Sequence, residues 1–501
     1  MSAESRHIDL LKIHPINGDQ RFAFEELCCQ LAADEPVTAG TLFYRKGSGA
    51  DAGVECFTAS PNGTETGWQA KFFQSFGVSQ AGQLTKSIEQ ALDKHPRLTK
   101  YIVCLPLNLK DSRANKETTE LERWSAWRLK QIAGAKKGGR ALEIELWDAR
   151  AIVSRLTSND AKAAGRLAFF LGELHLTRDW FKARFRLTTA SLQERYTPQF
   201  DVALPIRKAI WGLSRQSELR EAQLAWLKRL RSSNEWLGQA SEGIFPSQTH
   251  AEASQAWSDL QDALRVEVSP SLPHPAPTWK VLVDGLRSFV ETGLNACRAA
   301  ADGASKERLT VIYVRRQLLH DLDDLLRGMR AGLESELFRF VNDKAMLVYG
   351  AAGEGKSHLL ADATDEALDG GRPAVMLLTS TFVASEPTSQ VLANLDVRGH
   401  SFEVFLGAMN AAGQAAGVRA LILIDALNER HGLELWRENL PQFVALLSQF
   451  PHVALCLSCR TTYLPAILPP GRPFSDALAR IEHIGFSCLS GASRRLAVRP
   501  F

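Results

Sequence analysis

The segment GAAGEGKS, residues 350–357, has the residue types and the spacing that bind a polyphosphate. Gly350, Gly353 and Gly355 let main-chain N–H groups turn toward a bound anion, and a helix that begins there adds partial positive charge. Lys356 is placed to reach the β- and γ-phosphates, and the Ser357 hydroxyl to ligate Mg²⁺. The sequence therefore predicts a site for ATP, or another NTP, together with Mg²⁺.

A second polar set follows two apolar runs further along the chain. Asp425 ends the run LILID, which has the pattern of a buried parallel strand, and ligands bind at the carboxyl ends of such strands. We expect Asp425 to hold Mg²⁺ through water and Glu429 to orient an attacking water. Arg460 ends the next apolar run, where it can sense a γ-phosphate. The alternatives are a plain polar loop and a surface arginine.

A third set lies in a predicted hairpin near the N-terminus. Side chains alternate along a strand, so Asp51, Gly53 and Glu55 are expected on one face, and Gln69 and Lys71 on one face of the partner strand. Carboxylate and amide oxygens suit Mg²⁺ or Mn²⁺, which can polarise a phosphodiester while Lys71 stabilises the developing charge. Alternatively, Asp51 is a turn residue and Lys71 a solvated strand lysine.

The elements that must position the third set follow an α/β order. Apolar periodicity predicts helices at 20–33, 80–95 and 117–135. Apolar and aromatic runs predict strands at 41–45, 66–73, 100–105 and 141–147. The phosphate loop, in turn, lies between a predicted strand at 346–349 and a helix at 357–368. We therefore predict two α/β regions, the second with a parallel sheet.

The N-terminal region resembles the Mrr-like branch of the PD-(D/E)XK nucleases, whose motif reads D…QxK. Asp51 followed by Gln69, Ala70 and Lys71 matches it, in an α-β-β-β-α-β order over residues 20–155. The resemblance implies a metal-dependent endonuclease of double-stranded DNA. It implies catalytic roles for Asp51, Gln69, Lys71 and the neighbouring Glu55, with metal at Asp51 and Gln69. It also implies a metal-supporting glutamate on the first helix, for which Glu25 is the better match.

Residues 340–465 resemble the STAND NTPases, a group that includes the NACHT proteins. The second motif of that group, four apolar residues and then D-[GAS]-x-[DN]-E, is matched at 421–429, and its strand-end arginine is matched by Arg460. A nuclease followed by such an NTPase resembles the AVAST (Avs) antiphage proteins. That resemblance implies a sensor for a phage protein, assembly into a homo-oligomer, and DNA cleavage by the assembled nuclease.

The predicted organisation is a nuclease domain at 15–157, a helical region at 158–335 with a Pro-rich connector at 269–277, an NTPase at 336–485, and an irregular tail at 486–501. The AVAST proteins continue further, with a winged-helix segment and a helical-repeat sensor. No such sensor is recognisable here, so we expect an incomplete STAND module, either truncated or working with a sensor on a separate chain.

Composition limits the classes of function only weakly. The 501 residues carry a net charge of +3, which does not itself indicate nucleic-acid binding. Charges occupy the N-terminus where a signal peptide needs an apolar core, and no apolar run approaches the ~20 residues of a membrane span. The eight cysteines, including a lone C-x-x-C at 456–459, fit buried, reduced thiols. We therefore expect a cytoplasmic protein without a membrane partner.

These observations favour an NTP-gated DNA endonuclease for phage defence. Three alternatives stay open: a non-nucleolytic, ATP-dependent regulatory switch, an NTP-dependent restriction enzyme that translocates along DNA, and an inactive fragment. The sequence does not identify the trigger, the preferred nucleotide, the DNA specificity or the oligomer size.

Overall fold

The structure, a computed structural model, describes residues 8–45, 53–111, 118–157, 161–172, 174, 176–192, 196, 205–234, 247–266, 268–302, 304–383, 386–397 and 399–484. The chain forms two compact units. Unit 1 comprises Met1–Trp180 and Val397–Ala415, and unit 2 comprises Phe181–Asp396 and Ala416–Phe501. The chain therefore passes from unit 2 into unit 1 at residue 397 and returns at residue 416.

The N-terminal part of the chain alternates helices and strands as predicted. Its elements are α1 (Gln20–Ala33), β1 (Leu42–Arg45), β2 (Cys56–Ala59), β3 (Glu65–Ala70), α2 (Val78–Lys94), β4 (Leu98–Cys104), α3 (Glu120–Lys137), β5 (Glu143–Trp147), α4 (Ala149–Leu156), α5 (Ala161–Leu171) and α6 (Arg178–Leu192). The Asp19 carboxylate caps α1 by accepting the Arg21 N–H. The apolar periodicity of α1 buries Phe24 and Leu27 in the core of unit 1.

The sheet of unit 1 is mixed, with strand order β1-β2-β3-β4-β5. Strands β1, β2 and β3 pair antiparallel, whereas β3, β4 and β5 pair parallel. Trp68 and Ala70 of β3 pack with α1, and Val103 of β4 packs in a second core with residues of α2 and α3. Gln69 pairs in register with Val103, so it lies on the face opposite Trp68 and Ala70.

The rest of the chain contributes mainly to unit 2. Its elements are α7 (Pro205–Ser214), α8 (Ser217–Ser232), α9 (Ser247–Arg265), α10 (Ala276–Ala301), α11 (Lys306–Leu333), α12 (Glu336–Arg339), β6 (Ala345–Gly350), α13 (Lys356–Asp369), β7 (Ala374–Leu378), α14 (Pro387–Asn394), α15 (Phe402–Ala415), β8 (Ala420–Asp425), α16 (Gly432–Ser448), β9 (Val453–Arg460), α17 (Leu464–Ile467), α18 (Pro473–Ala477) and β10 (Ala479–Glu482). The predicted α/β class is therefore confirmed.

The sheet of unit 2 is all-parallel, with strand order β10-β6-β9-β8-β7. Strand β9 lies between β6 and β8 and pairs with both. Because the strands are parallel, their carboxyl ends meet at one edge of the sheet. Gly350, Asp425 and Arg460, which end β6, β8 and β9, are therefore brought to that edge.

The longest helices, α10 and α11, pack together in unit 2 around buried residues that include Trp279 and Leu319. Several arginines lie between the apolar residues of α11, and one of them takes part in ion pairs within unit 2. Arg330 forms ion pairs with Asp284 and Glu334. Among the residues that the structure describes, no helix is long and apolar enough to cross a membrane.

Helix α15 belongs to unit 1 although it lies between β7 and β8 in the chain. It packs on α5 at a contact between two glycines. A Cβ added at Gly165 would lie 2.3 Å from main-chain atoms of Gly407, so the backbones touch without a side chain between them. Ala411 of the same helix joins the core that α1 also lines. A segment that lies between two strands of the unit 2 sheet in the sequence is therefore part of the core of unit 1.

The glycine contact gives a stability prediction. Gly165→Val should destabilise unit 1 by about 2 kcal/mol or more, because the two backbones must separate to admit the side chain. Gly134→Ala is the matched control, since Gly134 lies inside α3 and an added Cβ meets nothing within 4 Å. That control should gain about 0.5–1 kcal/mol from helix propensity. Urea unfolding followed by tryptophan fluorescence measures both. Equal stabilities would contradict the close packing of α15 on α5.

Candidate functional site

The phosphate loop connects β6 to α13 in the predicted strand–loop–helix order. Gly353 and Gly355 have φ angles of 82° and 89°, in the left-handed region that glycine adopts without strain. Gly355 is the residue before the first turn of α13, so the free N–H groups of that turn border the loop. The loop therefore has the backbone form and the helix position that an anion site requires.

The back of the phosphate loop is closely packed. A Cβ at Gly350 would lie 2.2 Å from the carbonyl oxygen of His483 and 2.6 Å from Glu354 Oε2. The Glu354 carboxylate accepts the Ala351 N–H at 2.6 Å, and the His483 N–H donates to Tyr349 O at 2.7 Å. His483, at the end of β10, is buried, and burial lowers its pKa. Sequence reasoning missed His483, because only the fold brings it to the loop.

Lys356 is 9% exposed and is held in the loop by two main-chain carbonyls. Its Nζ donates to Gly350 O at 2.8 Å and to Ala351 O at 2.6 Å. Burial lowers the pKa of Lys356, while the carboxylates of Glu354 and Asp425 oppose that shift. An ammonium group has three N–H donors, so one remains for a phosphate oxygen.

Asp425 ends β8 and is 2% exposed. The Ser458 hydroxyl, on β9, donates to Asp425 Oδ1 and accepts the Ala426 N–H at 2.8 Å. Ala426 has a φ of 55°, which favours a small residue directly after the aspartate. Ser458 therefore fixes both the carboxylate and the turn that follows it. This role was not apparent from the sequence.

Glu429 and Arg460 face each other, with Glu429 Oε1 3.9 Å from Arg460 Nη2. The Asn428 side chain accepts the Arg460 N–H at 2.9 Å and so ties the loop after β8 to the end of β9. The Arg460 side chain is 45% exposed. It is thus anchored by its main chain, while its guanidinium group has room to turn toward a bound phosphate.

These residues line one cleft of about 390 Å³ at the carboxyl edge of the sheet of unit 2. The cleft unites the predicted nucleotide residues other than Gly350, which does not line it. Its lining includes Gly353, Gly355, Lys356, Ser357, His358, Asp425, Asn428, Glu429, Ser458 and Arg460. The His358 ring, on one side of the cleft, lies 5.4 Å from the Tyr196 ring and pairs with Asp362. The geometry suits an elongated anion that carries a cation.

Ser458 gives a prediction specific to the metal. Ser458→Ala removes the donor to Asp425 and the acceptor of the Ala426 N–H, so the carboxylate loses its fixed orientation. The increase in nucleotide affinity that Mg²⁺ provides should fall about tenfold, while affinity in EDTA stays unchanged. Calorimetry with and without Mg²⁺ measures this. Ser448→Ala, an exposed serine on α16, is the control. An equal loss in EDTA would assign Ser458 to loop folding instead.

The nuclease-like residues lie in unit 1. Asp51 is outside the described residues. Gln69 is fully buried, and its Nε2 donates to Glu55 Oε1 and, at 3.3 Å, to Ala70 O. The Oε1 of Gln69 is buried without a hydrogen-bond partner in the described part of the chain. A buried amide oxygen without a donor is costly, and a bound cation would satisfy it.

The expected strand alternation over residues 51–55 does not extend to Gly53. Strand β2 begins at Cys56, and Gly53 has a φ of 81°. A Cβ there would lie 2.1 Å from Ser87 O of α2, so the close packing of this residue on α2 requires glycine. Glu55 nevertheless extends the ladder, since its N–H donates to Trp68 O at 2.7 Å. Glu55 therefore reaches Gln69 through a side-chain hydrogen bond, without a regular strand before Glu55.

Lys71 and the two glutamates of the first helix differ in their burial and in their contacts. Lys71 is half-buried, its N–H donates to Cys104 O at 3.0 Å, and its ammonium makes no ion pair with any described residue. Glu26 is 1% exposed and binds Arg45 and Gln30, so it belongs to a buried polar network within unit 1. Glu25 is half-buried and remains the candidate of the pair for a metal site.

Within the described ranges, no three His, Cys, Asp or Glu side chains cluster as a metal site requires. A site at the hairpin would therefore depend on the Gln69 amide oxygen and on Asp51. The C-x-x-C cysteines are both buried in β9, and burial raises the pKa of each thiol to about 12. They fit the expected inert, reduced thiols.

Comparison with known proteins adds no assignment to this geometry. No protein-family model matches the sequence, and no curated protein matches it significantly. The residues of the two sites therefore carry the functional argument.

Proposed function

We propose that this chain is an NTP-gated, Mg²⁺-dependent DNA endonuclease of antiphage defence. The observation that carries the proposal is the single cleft in which the phosphate loop, Lys356, Asp425 and Arg460 meet. The nuclease half of the proposal is supported by the D…QxK pattern and by the buried, unpaired oxygen of Gln69.

In the nucleotide cleft, the N–H groups of the loop and the remaining Lys356 donor bind the β- and γ-phosphates. Ser357 and Asp425 are the residues that would hold Mg²⁺ beside these phosphates. Glu429 orients an attacking water, and Arg460 contacts the γ-phosphate. Because Glu429 Oε1 lies 3.9 Å from Arg460 Nη2, a γ-phosphate would compete with Glu429 for the guanidinium group. The Glu429–Arg460 pair is thus the part of the cleft that distinguishes a triphosphate from a diphosphate.

In the nuclease site, Gln69 and Asp51 hold Mg²⁺, with Glu25 in support. Glu55 fixes the Gln69 amide group through its Nε2, so that Oε1 is available to the metal. Mg²⁺ held there would polarise the scissile phosphodiester and lower the pKa of the attacking water. Lys71, which has no carboxylate partner among the described residues, places its charge on the phosphate as negative charge develops.

The biological setting of the proposal rests on the resemblance to AVAST proteins. NTP binding would favour a homo-oligomer, and assembly would activate cleavage of double-stranded DNA in the cytoplasm. A phage protein is the trigger expected of that family. The link between nucleotide and nuclease is an allosteric coupling. Any factor by which NTP changes the affinity for DNA is also the factor by which DNA changes the affinity for NTP.

A non-nucleolytic switch is the second candidate, because the nucleotide cleft alone supports it. Calorimetry with Mn²⁺ on the wild type and on Gln69→Ala separates the two candidates. Saturable Mn²⁺ binding that Gln69→Ala removes supports the nuclease, whereas no binding in either protein supports the switch. An NTP-dependent restriction enzyme predicts rapid, DNA-stimulated NTP turnover instead.

The direct test is cleavage of supercoiled plasmid in Mg²⁺, with and without ATP. We expect nicking or degradation that requires Mg²⁺ and increases with ATP. EDTA should abolish it. Intact plasmid under all conditions, from protein that binds both ATP and DNA, would contradict the endonuclease.

A further inference from the structure

Two side chains of unit 1 bind main-chain carbonyls near the end of helix α15. Gln30 Nε2 donates to Ala411 O at 3.0 Å, and Arg45 Nη1 donates to Gln414 O at 3.0 Å. Gln414 lies in the last turn of α15, whose carbonyls have no partner within the helix. Helix α15 is therefore fixed to unit 1 by specific polar contacts as well as by packing.

Those two side chains meet at Glu26. Its carboxylate accepts Gln30 Nε2 at 2.7 Å and also binds the guanidinium group of Arg45. Glu26 is 1% exposed, so its charge depends on these partners. The network joins α15 to α1 at Glu26. The residue before it in α1 is Glu25, the candidate metal-supporting carboxylate. A shift of α15 must therefore either break a buried ion pair or carry α1 with it.

The other end of the connection is the nucleotide cleft. Residues 416–419 separate α15 from β8, and β8 ends at Asp425. Helix α15 is thus the segment of unit 1 that continues, through a four-residue link, into the strand that lines the cleft. Four residues span at most about 14 Å, which limits how far the end of α15 can move away from the start of β8.

We propose that α15 carries the nucleotide state to the nuclease site, and that Gln30 and Arg45 are positioning residues that move α1, and with it Glu25. This inference rests on the proposed function. It assigns a role to residues outside both sites and explains why an NTPase-like sequence contributes a core helix to unit 1.

The test compares DNA cleavage rates with and without ATP in the full chain. We expect ATP to stimulate wild-type cleavage by about 5- to 150-fold, the usual range of allosteric coupling. Gln30→Met, which keeps the side-chain length but loses the contacts to Ala411 and Glu26, should reduce that ratio to about 2 or below. Arg45→Lys, which keeps a charge for Glu26, should shift the ratio in the same direction. Arg21→Lys, on the exposed side of α1, should leave it unchanged.

A merely structural role would lower both rates equally and leave the ratio as in the wild type, which would overturn the proposal. Hydrogen exchange separates this failure from failure of the nuclease assignment. On ATP binding, exchange should change in both α15 and Gln20–Ala33 of the wild type, and only in α15 of Gln30→Met. A change in α15 that never reaches α1, even in the wild type, would overturn the proposal without reference to cleavage.

Discussion

Replacing Lys356 by alanine should weaken ATP binding by about a hundredfold or more. The Lys356 ammonium group is already held by Gly350 O and Ala351 O, so it needs no reorganisation to meet a phosphate. The one remaining N–H donor of Lys356 makes a charge-assisted hydrogen bond to phosphate, which contributes about 1.5–3 kcal/mol, and the positive charge attracts the other phosphate oxygens as well. Calorimetry with ATP and Mg²⁺ measures the loss.

The control for Lys356 is Lys228→Ala, an exposed lysine on α8 of the same unit. It should bind ATP as the wild type does. Because the substitution at Lys356 leaves two carbonyls without their donor, thermal unfolding of the nucleotide-free protein must accompany the titration. Near-normal ATP affinity in a folded Lys356→Ala protein would remove the phosphate-loop assignment, and with it the proposed gate.

Burial lowers the pKa of Lys356, which adds a pH dependence to this prediction. The charged form binds phosphate, so affinity decreases as the pH rises through the lowered pKa. The decrease should therefore begin at a lower pH than a solvated lysine would give. The alkaline arm of the ATP affinity profile should be absent in Lys356→Met, which has no charge to lose.

The nucleotide site was the more predictable of the two from sequence, for a local reason. Gly353, Gly355, Lys356 and Ser357 lie within one loop, so their spacing alone determines their arrangement. Asp425 and Arg460 were placed correctly because strand ends in a parallel sheet share an edge.

The residues that position Asp425 and Gly350 do so through contacts between distant parts of the chain, which a local sequence pattern does not show. Ser458 acts on Asp425 from the neighbouring strand, and His483 reaches Gly350 only because β10 pairs with β6. Likewise, Gly53 leaves the strand pattern because it packs against α2. Sequence periodicity shows which face of a helix or strand is apolar, but it does not show which distant segment of the chain packs against that face.

Helix α15 shows the same limit at the level of whole units. Its sequence, FEVFLGAMNAAGQA, is apolar on every side, which indicates burial. Its position between β7 and β8 suggests a part of the NTPase, yet it packs in unit 1 against α5 and α1. The choice of partner follows from the Gly165–Gly407 contact and the Gln30 hydrogen bond, both between residues far apart in the chain.

Replacing Lys71 by alanine should reduce DNA cleavage by about a hundred- to a thousandfold, the second large effect we expect. The lysine follows β3 two residues after Gln69 and has no ion pair with a described residue, so its charge is available to substrate. Removing a group that stabilises transition-state charge typically costs that much in rate. A gel assay on supercoiled plasmid with Mg²⁺ and ATP measures it.

The specificity of the Lys71 effect distinguishes catalysis from folding or gating. ATP affinity and Mn²⁺ binding should both remain near wild type in Lys71→Ala, because Lys71 holds neither ligand in the proposed mechanism. Lys130→Ala, an exposed lysine on α3, should cleave normally. Lys71→Arg keeps the charge but not the shape, so it should retain a small fraction of activity rather than none.

Asp51→Ala completes the argument, because it removes the proposed metal ligand rather than the charge on the phosphate. It should abolish cleavage and weaken Mn²⁺ binding together. Lys71→Ala should retain the residual activity predicted above and bind Mn²⁺ normally. The difference follows from the separate roles, since the Asp51 side chain would bind a cation and the Lys71 side chain is a cation. Cleavage that survives both substitutions would show that the hairpin is not the active site, and the residues that cut DNA would then lie elsewhere in the chain.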